Sequence, residues 1–228
     1  MSHVRESPTV PAGKPERRSC AGLFLEREIW DAGFVLVAGV DEVGRGAWAG
    51  PLVAAAVVLP NDECVLGRLV GRVDDSKRLA PHVRELLLPE VMSVALGVGI
   101  GWVAADELDE LGLGAANRLA MARAVVDLPL DPSYLLLDYL RLPASNCPQR
   151  AIPHGDGASL SIAAASIVAK VTRDRWMAGQ DGLYRGYGFA SHKGYGTAQH
   201  RRALAAHGPS PLHRCSFEPV ARWLAAHR

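Results

Sequence analysis

Two apolar runs joined by a short glycine-rich segment constrain the fold of this chain most. Residues 34–40 read FVLVAGV and residues 52–59 read LVAAAVVL. Both runs are rich in aliphatic and β-branched residues, and they are close enough in sequence to pair as antiparallel strands. The first run ends directly at Asp41 and Glu42, so the same feature places two acidic side chains where a buried strand enters a turn.

The rest of the chain alternates between helical and strand patterns. Further strands are predicted at residues 95–103, 134–138 and 149–153. Helices are predicted at residues 21–32, 82–95, 104–128 (interrupted near Gly112 and Gly114), 162–177, 197–207 and 219–227. Ser161 is the expected N-cap of the helix at 162–177. A meander of three strands followed by helices and two more strands indicates an α/β domain with a mixed five-stranded sheet flanked by helices.

Composition indicates a globular chain. It has 228 residues, of which 49% are hydrophobic and 21% charged, and no Ser-rich or Gly-rich linker divides it. We therefore expect one domain over residues 21–228, preceded by a flexible leader at 1–20 that lacks the apolar core of a signal peptide or membrane span. The four cysteines have no zinc-site spacing, which fits a reducing compartment. We expect a cytoplasmic monomer with no membrane association.

Charge is distributed unevenly. From Tyr184 onward there are seven Arg or Lys residues against the single acid Glu218, so this stretch carries +6 and the remainder −5. Such an asymmetry is expected where one wall of a site attracts phosphates and another holds cations. A solvated basic surface is an equally ordinary interpretation of the same pattern.

Four acidic residues occupy positions from which a metal site can form: Asp41, Glu42, Asp138 and Asp156. If the central strands are neighbours, these carboxylates converge at the strand ends, where they repel one another unless cations lie between them. Oxygen ligands select Mg²⁺ or Mn²⁺. Two such ions, about 3.5–4 Å apart, support phosphodiester hydrolysis. Any one of these acids alone is more often a helix cap or an ion-pair partner.

One geometric difficulty concerns Asp41 and Glu42. Adjacent strand residues point to opposite faces of a sheet, so both cannot face one site from a regular strand. The glycines that follow could supply the twist that brings the two side chains together.

The motifs around these acids resemble those of ribonuclease HII. The blocks are GVDEVGRGAWAGP (39–51), DDSKRL (74–79), GDGASLSIAAASIVAKVTRDRWM (155–177), YGFASHKGYGTAQH (187–200) and HGPSPLHRCSF (207–217). Five blocks in family order over residues 21–217 make this resemblance specific.

The resemblance implies an RNase H-like fold with a C-terminal helical extension, and it assigns metal binding to the same four acids. It also implies that Gly44, Arg45 and Gly46 contact the substrate backbone around a ribose 2′-hydroxyl, with Tyr195 against the adjacent sugar. Glycines allow close backbone approach, and the 2′-hydroxyl distinguishes RNA from DNA. Lys77 and Lys170 resemble residues that the family places near phosphates, although each could simply pair with a nearby acid.

The implied activity is two-metal hydrolysis on the 5′ side of a ribonucleotide in an RNA/DNA hybrid or in duplex DNA, leaving 3′-hydroxyl and 5′-phosphate ends. Its expected uses are the removal of misincorporated ribonucleotides and of primer RNA. Ribonuclease HIII is one alternative, which the forty residues before Asp41 and the presence of Arg45 disfavour. Others are a non-catalytic hybrid-binding module and a DNA integrase or resolvase of similar fold.

Several residues depart from the family pattern or have open roles. Ala47 and Trp48 replace the usual Pro-Leu, Tyr139 replaces a small residue, and His154 replaces a Lys, which would make any help from that position depend on pH. Ser166 is expected to pack rather than react. For His192 and His213, a solvated position in a basic tail is the preferred interpretation, ahead of phosphate contact or proton transfer.

Overall fold

The computed structural model describes residues 21–227, so the predicted leader at 1–20 lies outside the described residues. At its centre is the mixed five-stranded sheet expected from the sequence, in the order β3-β2-β1-β4-β5. The strands are β1 (Val37–Val43), β2 (Leu52–Val58), β3 (Gly97–Val103), β4 (Tyr134–Asp138) and β5 (Gln149–Ile152). The first three form an antiparallel meander, whereas β4 and β5 run parallel to β1.

Helices cover both faces and the C-terminal end. They are α1 (Phe24–Asp31), α2 (Glu63–Leu66), α3 (Pro81–Val94), α4 (Ala105–Leu111), α5 (Leu113–Val126), α6 (Leu160–Gln180), α7 (Phe189–His192), α8 (Ala198–His207) and α9 (Glu218–Ala226). The predicted break near Gly112 is confirmed, because this residue has φ +74° between α4 and α5. The short helices α2 and α7 were not predicted. None of the helices within residues 21–227 is long and apolar enough to cross a membrane.

The expectation that Ser161 caps α6 is wrong. Ser159 is the N-cap, and its hydroxyl accepts a hydrogen bond from the Ile162 amide at 3.2 Å. Ser161 lies inside the first turn because a buried carboxylate from α1 takes both of its donors: the Ser161 amide and hydroxyl donate to Glu26 Oε1 at 2.8 and 2.7 Å. A carboxylate at a helix N-terminus is favourable to the helix dipole, so α1 stabilises the start of α6.

The sheet is buried on both faces, which explains why β2 and the part of β1 that precedes Asp41 are uniformly apolar instead of alternating. On one face, Ala55 and Val57 pack with α3 and α6. On the other, Ala54 and Ala56 pack with α5. A strand that is covered on both sides needs apolar residues at every position.

Gly39 allows α6 to lie directly against β1. A Cβ at this position would come within 2.1 Å of the Ser161 backbone carbon. Gly39→Ala is therefore expected to lower the free energy of unfolding by about 3 kcal/mol, because helix and strand must separate. Denaturant unfolding measures this change. Gly179→Ala, on the exposed side of α6 with nothing within 4 Å, is the matched control and should stabilise slightly; equal effects for both variants would contradict the packing argument.

Candidate active site

The topology brings three of the predicted acids together. Because β1 and β4 are parallel, with Val40 beside Leu137, Asp41 and Asp138 emerge at the same end of the sheet. One carboxylate oxygen each from Asp41, Glu42 and Asp138 lie within 4.8 Å of one another. Asp138 is held in place by the Gly155 amide, which donates to its Oδ1 at 2.8 Å.

Asp41 and Glu42 point to opposite faces of the sheet, and β1 is not distorted at either residue. The pairing of β1 with β2 stays regular up to Val43 opposite Val53. Asp41 lies opposite Ala55 on the α6 face, and Glu42 opposite Ala54 on the α5 face. Their carboxylates nevertheless meet at the strand end. The glycine turn is not needed to rotate either residue.

Asp156 stands beside this trio instead of within it. It lies in a 3₁₀ turn (Gly155–Gly157) after β5 and is almost completely buried. Its Oδ2 is 3.5 Å from Lys77 Nζ. The charges of Asp75 and Asp138 also act on it, so it shares the electrostatic environment of the other acids.

Burial has the largest effect on the pKa values of these acids, and neighbouring negative charge adds to it. Burial, then the charges of Glu42 and Asp138, raise the pKa of Asp41 well above its ordinary value. The pKa of Glu42 is also raised, mainly by burial and against the opposing charge of Arg45. Burial and neighbouring Asp75 likewise raise the pKa of Asp156 despite Lys77. A bound cation would relieve this repulsion.

The donor set fits a hard divalent cation. Glu42 Oε2 is buried and accepts no hydrogen bond from any residue in the described part of the chain. A buried carboxylate oxygen without a partner is costly unless a ligand satisfies it. Carboxylate oxygens at the mouth of a wet cleft are the ligands preferred by Mg²⁺ and Mn²⁺. The residues present therefore suit such an ion.

The acids open onto a cleft of about 680 Å³. Nine of the ten sequence-predicted site residues line it, and Asp156 is the exception. The nine are Asp41, Glu42, Gly44, Arg45, Gly46, Lys77, Asp138, Lys170 and Tyr195. Ser166 also lines the cleft, but it is buried and donates to Ser76 Oγ at 2.7 Å, which agrees with the packing role predicted for it.

The turn between β1 and β2 forms one wall. Gly44 needs to be glycine on steric grounds: its φ is +95°, and a Cβ there would lie 2.4 Å from Arg173 Nε. A Cβ at Gly46 would meet no described heavy atom within 4 Å, so the space above Gly46 is open to a ligand. Arg45 bonds Glu42 Oε1 at 3.3 Å.

Two fully buried arginines hold this turn, and the sequence reasoning missed both. Arg214 donates from Nη1 to the Gly44 and Arg45 carbonyls at 2.7 and 3.2 Å, and from Nε and Nη2 to the Gly50 carbonyl at 3.0 and 2.8 Å. Arg173 donates to the carbonyls of Ala49, Pro51 and Lys193. Both lie in the family-like blocks, but arginine is rarely buried, so neither residue type nor spacing indicates this role.

Tyr195 lies beside the turn and lines the same cleft. Its backbone forms an isolated antiparallel bridge with Ala47. The Lys170 ammonium and the Arg173 guanidinium lie 5.2 and 5.3 Å from the centre of its ring, within cation–π range. Lys170 also pairs with Asp174 at 2.8 Å. Like Lys77, it therefore pairs with a nearby acid, which was the alternative to a role in phosphate contact.

The prediction that His192 and His213 are solvated is wrong. Both are buried, together with His200, where α7, α8 and the segment at 208–217 pack together. Tyr187 and Phe189 pack against these rings. The rings are thus part of a local core.

The departures from the family pattern differ in their surroundings. Trp48 packs on Gly196, where a Cβ would come within 2.2 Å of the indole. Tyr139 and His154 are exposed and have left-handed backbones, with φ +60° and +57°. Ala47 is fully buried, so Ala47 and Trp48 are the departures that affect the packing beside the cleft.

Comparison with known proteins agrees with this geometry. Residues 38–220 match the family model for ribonuclease HII. Ribonuclease HII of Chloroflexus aurantiacus is 52% identical over 87% of this chain and 93% of its own length, and that of Thermus thermophilus has the same values. The crystal structure of ribonuclease H2 from Pyrococcus horikoshii has a TM-score of 0.68 at 27% identity, covering 84% of this chain and 98% of that one. The chain therefore belongs to the ribonuclease HII family and is a ribonuclease H endonuclease.

Proposed function

We propose that this chain cleaves the RNA strand of RNA/DNA hybrids and cuts duplex DNA on the 5′ side of a single embedded ribonucleotide, leaving 3′-hydroxyl and 5′-phosphate ends. The observation that carries the proposal is the cleft itself: three converging carboxylates line it, and the Gly44–Arg45–Gly46 turn and Tyr195 line it beside them. A metal site and a ribose-sensing wall therefore open onto one substrate path.

Asp41, Glu42, Asp138 and Asp156 would hold two divalent ions, Mg²⁺ or Mn²⁺. When bound, such ions supply the activated water and the charge neutralisation that phosphodiester hydrolysis requires. The protein's contribution is positional. Asp138 is fixed by the Gly155 amide, Asp41 by its place at the end of a buried strand, and Glu42 presents an oxygen that has no other partner among the described residues.

The glycine turn and Tyr195 would select ribose. Open space above Gly46 leaves backbone groups accessible to a 2′-hydroxyl, and the Tyr195 ring offers an apolar surface to the neighbouring sugar. Lys77 and Lys170 lie along the same cleft and would contact phosphates. Each pairs with one acid, and an ammonium group has three donors, so each could contact a phosphate while keeping its acidic partner. The biological uses we propose are removal of misincorporated ribonucleotides and of primer RNA.

The decisive experiment gives the protein, with Mg²⁺ or Mn²⁺, a DNA duplex containing one ribonucleotide and an otherwise identical all-DNA duplex. Only the first should be cut, at the bond on the 5′ side of the ribonucleotide, and chelation should stop the reaction. Denaturing gels locate the cut, and phosphatase treatment identifies the ends. Cutting of both duplexes would point to a deoxyribose-tolerant nuclease, and binding without cutting to a hybrid-binding module; either result would refute the proposal.

A further inference from the structure

Three buried histidines lie directly behind the segment that carries Tyr195. His192 and His200 stack at 4.2 Å between ring centres. His200 Nε2 lies 3.0 Å from His213 Nε2, and His200 Nδ1 lies 3.1 Å from the Tyr195 carbonyl oxygen. None of the three rings has a part in the proposed hydrolysis. His213 and His200 nevertheless form a continuous path of polar contacts that ends at the Tyr195 carbonyl, and His192 stacks on His200 beside this path.

One backbone amide determines the direction of every hydrogen bond along this path. The Ser210 amide can only donate, and it lies 2.9 Å from His213 Nδ1, so that nitrogen accepts. In a neutral ring, His213 Nε2 then carries the proton and donates to His200 Nε2. This leaves the proton of His200 on Nδ1, from which it donates to the Tyr195 carbonyl.

His192 is fixed by the same reasoning. The Gly194 amide donates to its Nδ1 at 3.1 Å, so its Nε2 carries the proton and donates to the Tyr187 carbonyl at 2.8 Å. All three neutral rings therefore have a single tautomer that satisfies both nitrogens. Fully satisfied buried polar networks fix one arrangement of the groups around them.

We propose that His213 and His200 are positioning residues that set the place of Tyr195 in the cleft. The inference rests on the role proposed above for Tyr195 in substrate contact. The Tyr195 amide donates to the His192 carbonyl at 2.9 Å, and the Thr197 amide donates to the Tyr195 carbonyl at 2.8 Å. The histidine path adds a second donor to that carbonyl and connects it to the segment at 208–217.

The surroundings of the rings keep them neutral. Burial, and to a smaller extent the charge of His192, lowers the pKa of His200 to about 4. Burial, and to a smaller extent the charges of His200 and His192, lowers the pKa of His213 to about 4. A proton added to His200 would place two hydrogens between the facing Nε2 atoms, and a proton added to His213 would place a hydrogen on Nδ1 against the Ser210 amide. At neutral pH both rings therefore hold the tautomers derived above.

The test compares two replacements of His213. In His213→Asn, the side-chain amide reaches the place of the original Nδ1, but no donor to His200 remains. In His213→Gln, the longer side chain can place its amide nitrogen, a donor, near the place of the original Nε2. His213→Asn is expected to lower kcat/KM for the single-ribonucleotide duplex by about tenfold, and His213→Gln should restore most of that loss.

A double-mutant cycle separates positioning from general support. In a Tyr195→Ala background, His213→Asn should change kcat/KM by less than about twofold, because nothing remains to be positioned. Equal losses in the two backgrounds would overturn the proposal, and so would full activity of Tyr195→Ala alone.

A second measurement needs no cleavage. It therefore tests the histidine path separately from the proposed cleavage activity. Nitrogen-15 NMR at pH 7 should show neutral His200 protonated on Nδ1, with His213 and His192 protonated on Nε2. In His213→Asn, the His200 signals should shift or show tautomer exchange. A charged His200, or a neutral His200 protonated on Nε2, would refute the proposed hydrogen bonds from His213 to His200 and from His200 to the Tyr195 carbonyl.

Discussion

Replacing Asp41 by Asn is expected to abolish cleavage of the ribonucleotide-containing duplex while making the metal-free protein more stable. Loss of a metal-binding oxygen should lower the single-turnover rate by at least about 10³-fold. The gain in stability has the same origin, because burial and the charges of Glu42 and Asp138 disfavour the Asp41 carboxylate, as its raised pKa shows. Thermal unfolding with chelator and with Mg²⁺, beside the cleavage assay, measures both effects.

The stability of the metal-free protein should also depend on pH in a direction that the raised pKa of Asp41 determines. A carboxyl whose folded pKa is raised binds more protons in the folded state, so it costs stability as pH rises above the ordinary carboxyl pKa toward the raised one. The metal-free parent should lose stability over that interval more steeply than Asp41→Asn. Asp131→Asn, at an exposed position between α5 and β4, is the control and should change neither property. A lower melting temperature for metal-free Asp41→Asn would disprove the account of crowded charge.

Removal of the Arg214 guanidinium is expected to lower the free energy of unfolding by about 3 kcal/mol, because three backbone carbonyls lose their donors in a buried place. Cleavage should fall with it, since Gly44 and Arg45 belong to the cleft wall. Arg214→Ala tests this by denaturant unfolding and by kcat/KM on the single-ribonucleotide duplex.

Two further variants make the result specific. Arg214→Lys keeps the charge but cannot reach three carbonyls with a planar fork of donors, so it should recover little. Arg222→Ala, at an exposed ion pair on α9, should stay within about 0.5 kcal/mol of the parent. If Arg214→Lys behaved like the parent, charge rather than the hydrogen-bond pattern would be what the turn requires.

Much of the fold follows from local pattern. The uniformly apolar runs around β1 and β2 predict buried strands, and the acids at the ends of β1 and β4 predict where carboxylates converge. The N-cap of α6 could not be predicted in the same way. Ser159 and Ser161 are equally good caps by type, and the choice depends on Glu26, which is far away in sequence and reaches Ser161 only after α1 has packed.

The buried residues behind the cleft could not be predicted from the sequence for a different reason. A basic stretch rich in histidine is most simply interpreted as a solvated surface, and the average exposure of arginine points the same way. His200, His213 and Arg214 are buried only because α7, α8 and the segment at 208–217 close over the β1–β2 turn. That arrangement depends on contacts between distant segments, which a one-dimensional pattern does not encode.

The Trp48 indole occupies the space that a side chain at position 196 would need. These two positions are therefore not free to vary independently. A homologue with a smaller residue at 48 has room for alanine at 196, whereas one with tryptophan must keep glycine there. Since Ala47 bridges Tyr195, the segments at 47–48 and 195–196 are packed side by side, and a change in one segment limits which residues the other can accept.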